Sequence, residues 1–466
     1  MFLLKFPTHR FSCVNRMQHE KTCIDRRFGM ILNDRNILCV FKSLLKHFKI
    51  HKKFFIPEVF LKIKVLNGVR ILIVPFFIIM IRDIRLFIEP QLWAEEGTIY
   101  FREAYLYGFK TIFKAEFGYY SLLPRTFSYV SNLFPLETVP MFMILFSLFV
   151  WLVPHILIGL SRNERLHSFK NKTICSLILL LTGPSDEIFL NSINLHFVTP
   201  WILILIGMDN LNRISKARSV LYVFLSWVSL LNGSVSIFVL PTYIYLILSQ
   251  KKYKFLIFSL FPVLIQLYSI FIFNNNNSFH DRFSFSMEEF NLIYYYRVLL
   301  GSFVGEIGSR YSILNLIEIQ SWIKLKTVLF LFFTGLVLFV IKERNKFASS
   351  LMIGSVTVSI LMYIFALNPK YPNLLIGGGR YFYLPNTMLI IGYLFFCFKK
   401  VDFKIPATLI YVIPIILSLF SSGVAYFNKS RYCSDCASWK TEVRQNFRQN
   451  KKIQIAPRGW IIDFNQ

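Results

Sequence analysis

Long apolar stretches, separated by short basic clusters, run through this chain from about residue 64 to residue 424. A bilayer core about 30 Å thick is crossed by roughly 20 helical residues, and fewer suffice where terminal Lys or Arg side chains reach the interface. The pattern therefore predicts an all-α fold, a polytopic transmembrane helical bundle of about eleven spans. We place the spans at 64–81, 139–160, 173–184, 197–208, 220–231, 234–248, 255–273, 327–341, 349–367, 381–398 and 405–424.

One stretch leaves the number of spans ambiguous. Residues 219–250 carry no charge over 32 positions, which is long for one helix and short for two. We divide it at Leu231-Asn232-Gly233, because the basic clusters on both flanks then lie on the same side of the membrane. A turn is therefore expected at these three residues.

The basic clusters also predict the orientation, because short cytoplasmic loops retain Lys and Arg whereas translocated loops shed them. Residues 1–66 hold fourteen Lys or Arg against four acids, so the N-terminus is predicted to be cytoplasmic. Loop 185–196 and the turn at Asn232 contain no Lys or Arg and are predicted to lie outside. Five further basic clusters occur in alternate loops, at 162–172, 213–218, 251–254, 342–346 and 399–404.

This topology divides the chain into three parts. A basic arm at 1–63 is predicted to be cytoplasmic or interfacial, the bundle covers 64–424, and an extracytoplasmic tail covers 425–466. The tail holds eight Lys or Arg against three acids, which opposes an outer location, but five internal loops outweigh one tail. The outer loops are expected at 82–138, 185–196, 274–326 and 368–380.

Composition agrees with a membrane location and narrows the partners. The chain is 55% hydrophobic and 17% aromatic, more apolar than a soluble domain requires, so the surplus must face lipid. In such a chain the net charge of +27 suits anionic lipid headgroups, and we predict no nucleic-acid partner. No Cys/His grouping has zinc-site spacing, so no metal or other cofactor is predicted. Cys433 and Cys436 form a CxxC that is predicted to close a local disulfide on the oxidising side.

The first outer loop carries an acidic pair, Glu95 and Glu96, directly after the first span. Trp93 and Tyr100 flank the pair and are suited to anchoring it at the membrane interface. Partial desolvation there raises the pKa of a carboxylate and lets it act as general base toward a hydroxyl. The alternative is a solvated loop with two glutamates that have no catalytic role.

Two further outer segments carry polar residues that a plain lipid-embedded bundle does not need. Glu187, Asn194 and His196 could bind sugar hydroxyls, although such residues also cap helices. In the third segment three glycines precede Arg380 and Tyr381, where backbone N–H groups and a forked guanidinium could bind a phosphate. A flexible loop with an interfacial arginine is the alternative there.

These motifs give the chain a resemblance to a known family. An acidic pair in the first extracytoplasmic loop resembles the glycosyltransferase C superfamily, membrane enzymes that take sugars from polyprenyl-phosphate carriers. Trp-Ala-Glu-Glu-Gly at 93–97 is similar to a Trp-Ala-Glu-Asp-Gly element of bacterial membrane proteins of that build, with Glu96 in place of Asp. Further short matches occur at Leu123-Pro124-Arg125, at Glu187 with Asn194-Leu195-His196, at Gly378-Gly379-Arg380-Tyr381 and at Pro457-Arg458-Gly459-Trp460.

The resemblance implies an inverting glycosyltransferase in a bacterial inner membrane. A polyprenyl-phosphate-linked sugar would bind with its phosphate near Arg380, with Arg125 as a second candidate, while Glu95 or Glu96 activates a cell-surface glycan acceptor. The residues predicted to bind substrate are Trp93, Arg125, Glu187, Asn194, His196, Gly379, Arg380 and Tyr381.

Serotype-converting glucosyltransferases that modify O-antigen share the size and the basic charge of this chain, and a flippase and a carrier-sugar synthase are the expected partner proteins. An O-antigen polymerase or ligase is an alternative, favoured by Arg282, Arg297 and Arg310 in the long loop 274–326. A polysaccharide or lipid-carrier transporter is the other, although it would place charged residues near mid-bilayer.

Overall fold

The computed structural model describes residues 65–182, 187–272, 286–305, 335, 345–366, 378–397, 405–428 and 431–465. Helices predominate in these residues. The predicted N-terminal arm at 1–63, all of the predicted span 327–341 except residue 335, and most of the loops 274–326 and 368–380 lie outside the described residues. Arg282 and Arg310 belong to that part of the chain.

A helix or helix pair occupies each predicted span that the structure describes. The helices are α1 Val65–Arg82, α2 Arg85–Ile88, α3 Arg102–Tyr107, α4 Leu122–Ser131, α5 Val139–Leu160, α6 Phe169–Leu181, α7 Pro200–Met208, α8 Lys216–Leu230, α9 Val235–Phe238, α10 Leu240–Leu248, α11 Tyr253–Ile272, α12 Met287–Ile293, α13 Lys346–Phe365, α14 Arg380–Cys397, α15 Ile405–Asn428, α16 Trp439–Glu442 and α17 Arg448–Asn450. Short 3₁₀ or π helices cover Glu96–Phe101, Gly108–Phe113, Leu136–Thr138, Glu164–Leu166, Ile193–Phe197, Tyr294–Leu300 and Val443–Phe447.

Three helical segments in the described residues are long and apolar enough to cross a membrane. They are Leu136–Leu160, Tyr253–Phe271 and Lys346–Phe365. On the second of them Ile257, Leu264 and Phe271 are exposed, which is the surface expected of a helix that faces lipid. The described residues therefore have the helices that a membrane protein requires.

The uncharged stretch 219–250 is broken at the predicted turn. Helix α8 ends at Leu230 and α9 begins at Val235. Asn232 is fully buried, and its side-chain oxygen accepts a hydrogen bond from the backbone N–H of Leu123 at 3.2 Å. The turn is thus packed against the first loop.

Gly233 in this turn is expected to resist substitution. Its φ is +90°, and a Cβ added there would lie 2.5 Å from Cβ of His196. Gly233→Ala should therefore destabilise the protein by about 2 kcal/mol or more, from left-handed strain and overpacking together. Gly459 has a φ of +96° and open space around it, so Gly459→Ala should lose only the strain, about 1 kcal/mol. Thermal unfolding of both variants in detergent measures the difference, and equal losses would contradict the predicted clash.

The loops gather at two ends of the bundle. At one end the Arg218 guanidinium donates to the Leu160 carbonyl at 2.8 Å and to Asp209 at 2.7 Å, joining three of the segments near the basic clusters. At the other end the first loop meets the 231–233 turn, where Leu122 N–H donates to the Leu231 carbonyl at 2.9 Å. The predicted cytoplasmic loops 162–172 and 213–218 therefore lie at one end of the bundle, and the predicted outer first loop and the 231–233 turn lie at the other.

The C-terminal tail packs against the first loop, and we call residues 89–138 and 431–465 together the loop–tail lobe. Strands β1 Lys452–Ile455 and β2 Trp460–Asp463 form an antiparallel hairpin in the tail. This hairpin corrects the all-α prediction. The Ala94 N–H donates to the Ala456 carbonyl at 2.6 Å, so the hairpin turn is bonded to the acidic-pair segment. An apolar core joins the lobe to the start of α5. It is formed by Leu92, Phe101, Trp439, Val443, Ile453, Ile455, Ile462 and Phe464 of the lobe and by Val139 and Met143 of α5.

Candidate active site beside the loop–tail lobe

The structure separates the two acidic candidates, and Glu96 is the buried one. Its side chain is 1% exposed. Oε1 accepts from the Ser192 N–H at 2.9 Å, and Oε2 accepts from the Trp93 N–H at 3.1 Å and from Arg431 Nη2 at 3.3 Å. A carboxylate with these partners is held in place by the fold, so Glu96 is poorly placed to take a proton from a substrate.

Glu95 is half-buried and accepts no hydrogen bond from any residue that the structure describes. Its charge acts on two neighbouring phenols. The pKa of Tyr100 is raised to about 12 and that of Tyr119 well above its ordinary value, in both cases mainly by burial, with the Glu95 carboxylate as a minor contribution in the same direction. Glu95 is therefore a partly exposed carboxylate in the neighbourhood of two neutral tyrosines.

Arg380 is a second charge near Tyr119 and lies at the start of α14. Its charge lowers the pKa of Tyr119 and so opposes the effect of Glu95 on the same phenol. Arg380 Nε is 3.5 Å from Glu187 Oε2, and both side chains are 37% exposed. Arg380 Nη2 also donates to the Tyr381 hydroxyl at 3.4 Å. The guanidinium is thus held by a partly solvated partner at the surface of the site.

Aromatic rings from three segments lie close to one another near Arg380. The rings of Tyr119 and His196 lie 5.7 Å apart, and those of Phe197 and Tyr381 lie 5.5 Å apart. His196 Nδ1 is 2.6 Å from the Ile193 carbonyl, so neutral His196 carries its proton on Nδ1 and keeps Nε2 as an acceptor. Together these rings provide apolar faces and one acceptor, which suits a sugar ring.

Three predicted substrate-binding residues, Asn194, Trp93 and Gly379, contact other parts of the protein. Asn194 is buried, and its Nδ2 donates to the Glu187 carbonyl at 2.9 Å, so it shapes the loop that carries Glu187. Trp93 lies under Arg431, whose guanidinium carbon is 5.6 Å from the ring centroid. Gly379 precedes α14, and its carbonyl accepts from the Phe382 N–H at 3.1 Å.

Arg125, a predicted phosphate ligand, is already engaged by carboxylates of the first loop. Its side chain is fully buried and paired with Glu103 and, at 3.2 Å, with Glu116. The guanidinium also lies 4.7 Å from the centroid of Tyr100. With two carboxylates already bound, Arg125 has no place for a phosphate, and its sequence position gave no sign of those partners.

The ion pairs of Glu103 with Lys114 and Arg125 should make the stability of the loop–tail lobe sensitive to acid. Burial raises the pKa of Glu103, but Lys114 and Arg125 overcome this and hold it below its ordinary value of 4.5. A lowered folded pKa contributes stability that is complete above pH 4.5 and is lost as pH falls below it. The unfolding temperature of the wild type should therefore fall between pH 5 and pH 3.5 more steeply than that of Glu103→Gln. If the unfolding temperatures of the wild type and Glu103→Gln fell equally with pH, the ion pairs of Glu103 would contribute nothing to stability.

Sequence reasoning missed Tyr119 and Arg431. Tyr119 stands in a Gly-Tyr-Tyr segment that reads as an interfacial aromatic stretch, and Arg431 is one of several basic residues in the tail. Arg431 lies two residues before Cys433, which forms a disulfide with Cys436. Gln91 bonds to the backbone of Cys433 through both side-chain atoms, each at 3.0 Å, so the disulfide turn is attached to the acidic-pair segment.

No group of three or more His, Cys, Asp or Glu in the described residues could hold a metal ion. Comparison of the chain with models of known families, with curated proteins and with solved structures finds no match.

Proposed function

We propose that this protein is an integral membrane glycosyltransferase of a bacterial inner membrane. It would move a sugar from a polyprenyl-phosphate donor to a cell-surface glycan, such as O-antigen, on the extracytoplasmic face. The proposal includes the eleven-span topology and the resemblance to the glycosyltransferase C superfamily. The observation that carries it is the meeting of three motif segments that contribute a carboxylate and a guanidinium. Glu187 pairs with Arg380, and Glu96, adjacent to Glu95, accepts from the Ser192 N–H of the Glu187 loop.

Each charge has a defined task in this reaction. Glu95 takes the proton from an acceptor hydroxyl as its oxygen forms a bond to the anomeric carbon. The bond from that carbon to the phosphate oxygen breaks, and the lipid phosphate leaves with its negative charge. Arg380 stabilises this charge, since a guanidinium binds phosphate oxygens in a fork. Attack opposite the leaving group inverts the anomeric centre.

The place of the motifs also supports the proposal. The ring of Tyr119, from the first loop, lies 5.7 Å from that of His196, and the neighbouring Phe197 ring lies 5.5 Å from that of Tyr381. The elements at 93–97 and 457–460 belong to segments that are hydrogen-bonded to each other. A helical bundle without a catalytic or binding site would not require these short motifs to lie together.

Glycans from cells with and without the gene test the proposal. One additional side-branch sugar in the presence of the gene supports transfer, and purified protein should then release polyprenyl phosphate from the sugar-linked carrier. A change in chain length would favour a polymerase or ligase, and accumulated lipid-linked intermediate would favour a transporter. Either of those outcomes would overturn the proposed reaction.

A further inference from the structure

We propose that Arg431, in the C-terminal tail, is a positioning residue that holds two halves of the site in register. One half is the Glu95 turn, residues 91–96, and the other is the Glu187 loop, residues 187–192. The inference rests on the proposed function for its activity measurements, whereas its structural measurement is independent of that function.

The Arg431 guanidinium is hydrogen-bonded to the Glu95 turn. Its Nη2 donates to the Gln91 carbonyl at 3.4 Å and to Glu96 Oε2 at 3.3 Å. The guanidinium also lies over the ring of Trp93. These contacts fix the backbone on both sides of Glu95 without touching its carboxylate.

The same guanidinium bonds to the Glu187 loop. Its Nη1 donates to the Phe189 carbonyl at 3.1 Å and to the Leu190 carbonyl. Glu96 completes the connection, because its Oε1 accepts from the Ser192 N–H at 2.9 Å. Glu187, at the start of this loop, is the partner of Arg380. Arg431 therefore links the general base to the residue that holds the phosphate-binding arginine.

Backbone strain shows that both segments need external support. Ala94 in the turn has a φ of +45°, and Leu190 in the loop has a φ of +46°. Residues with a Cβ are disfavoured there and persist only where surrounding contacts impose the conformation. Ala94 is bonded to the tail through the Ala456 carbonyl, and Leu190 is bonded to it through Arg431.

Burial gives Arg431 few alternatives to these partners. Its side chain is 1% exposed, and burial lowers the pKa of its guanidinium, although Glu96 and Asp83 oppose this effect. We call Arg431, with its contacts to the Glu95 turn and the Glu187 loop, the bracket. The backbone N–H of Arg431 donates to Asp83 Oδ2 at 3.1 Å, which attaches the bracket to the segment after α1. A lysine carries the charge but lacks the planar fork that reaches acceptors in two segments at once.

Thiol labelling tests the bracket without any reference to catalysis. Ser192 is fully buried, and Ser192→Cys places a thiol between the two halves. In a background with Cys13, Cys23 and Cys39 replaced by Ser, this thiol should react with a maleimide at least tenfold faster in Arg431→Gln than with Arg431 intact. Arg431→Lys should be intermediate and serves if Arg431→Gln does not fold. Equal labelling rates in all three would overturn the proposal.

Glu442→Gln is the matched control for a general loosening of the tail. Glu442 is buried and accepts from the Gln454 N–H at 2.9 Å, an interaction within the tail itself. Its substitution should leave labelling of Cys at position 192 within about twofold of the wild type, since its partner is in neither half of the site. Labelling as fast as in Arg431→Gln would mean that tail stability, and not Arg431, protects the site.

The double variant Glu96→Gln with Arg431→Gln separates positioning from stability. Removing both charges leaves no unpaired buried ion, so the double variant should recover most of the unfolding temperature lost by Arg431→Gln. Transfer should remain at least tenfold below wild type, because the bonds to Phe189 and Leu190 are still missing. Activity that returns with stability would contradict a positioning role. If the wild type transfers no sugar, the proposed function fails while the labelling result still decides the bracket.

Discussion

Replacing Glu95 with Gln is expected to reduce sugar transfer by about 10² to 10⁴-fold, the usual contribution of a general base. The amide is nearly isosteric but cannot take a proton from the acceptor hydroxyl. Folding should be unaffected, because Glu95 is half-buried and no hydrogen bond from the described residues depends on it. Steady-state transfer from a polyprenyl-phosphate sugar, with the unfolding temperature of the same preparation, measures both quantities.

Glu137→Gln is the matched control for this experiment. Glu137 is another partly buried glutamate of the first loop and lies in the Leu136–Thr138 turn. Its neutralisation should leave transfer within about twofold of the wild type, as expected for a residue outside the site. A Glu95→Gln variant that transfers sugar at the rate of Glu137→Gln would exclude Glu95 as the base.

Replacing Glu96 with Ala is expected to act on folding, with a loss of about 3 to 5 kcal/mol in the free energy of unfolding. The substitution leaves the Arg431 guanidinium buried without its carboxylate and removes the acceptor of the Ser192 N–H. Glu96→Asp keeps a negative charge beside Arg431 and should lose less. Denaturation in detergent, together with the yield of folded protein, gives the comparison.

The opposite pattern would reverse the roles of the two glutamates. If Glu96→Ala unfolded at the wild-type temperature and yet transferred no sugar, Glu96 would be the base. The sequence left this choice open, because two adjacent acids carry the same chemistry until their partners are known. Because Glu96 is buried and paired with Arg431, we propose Glu95 as the base.

The positions of the helices were predictable because a lipid-facing helix requires an uninterrupted apolar stretch of known length. The break at residues 231–233 followed from charge alone, since both flanking basic clusters had to share a side. The hairpin at 452–463 carried a weaker signal. Lys-Ile-Gln-Ile alternates polar and apolar residues, and Pro-Arg-Gly then offers a turn, but four residues a strand are too few to stand out in a helical protein.

The site was predictable only in part, because its contacts join residues far apart in the chain. Glu95, Glu187 and Arg380 could be chosen from local motifs near predicted helix ends. Arg431 is 335 residues from Glu96, and nothing local distinguishes it from the other arginines of the tail. Arg125 is the opposite case. Its sequence position predicts a phosphate ligand, but in the structure its guanidinium is paired with Glu103 and Glu116.

The location of the site outside the cytoplasm can be measured directly by labelling of Glu187→Cys in intact cells, in the background with Cys13, Cys23 and Cys39 replaced by Ser. Glu187 is partly exposed at the predicted outer end, and Arg165→Cys supplies a position at the opposite end. A membrane-impermeant maleimide should label position 187 in intact cells and position 165 only after permeabilisation. Labelling of position 165 in intact cells, with position 187 protected until permeabilisation, would place the site in the cytoplasm and contradict transfer to a cell-surface glycan.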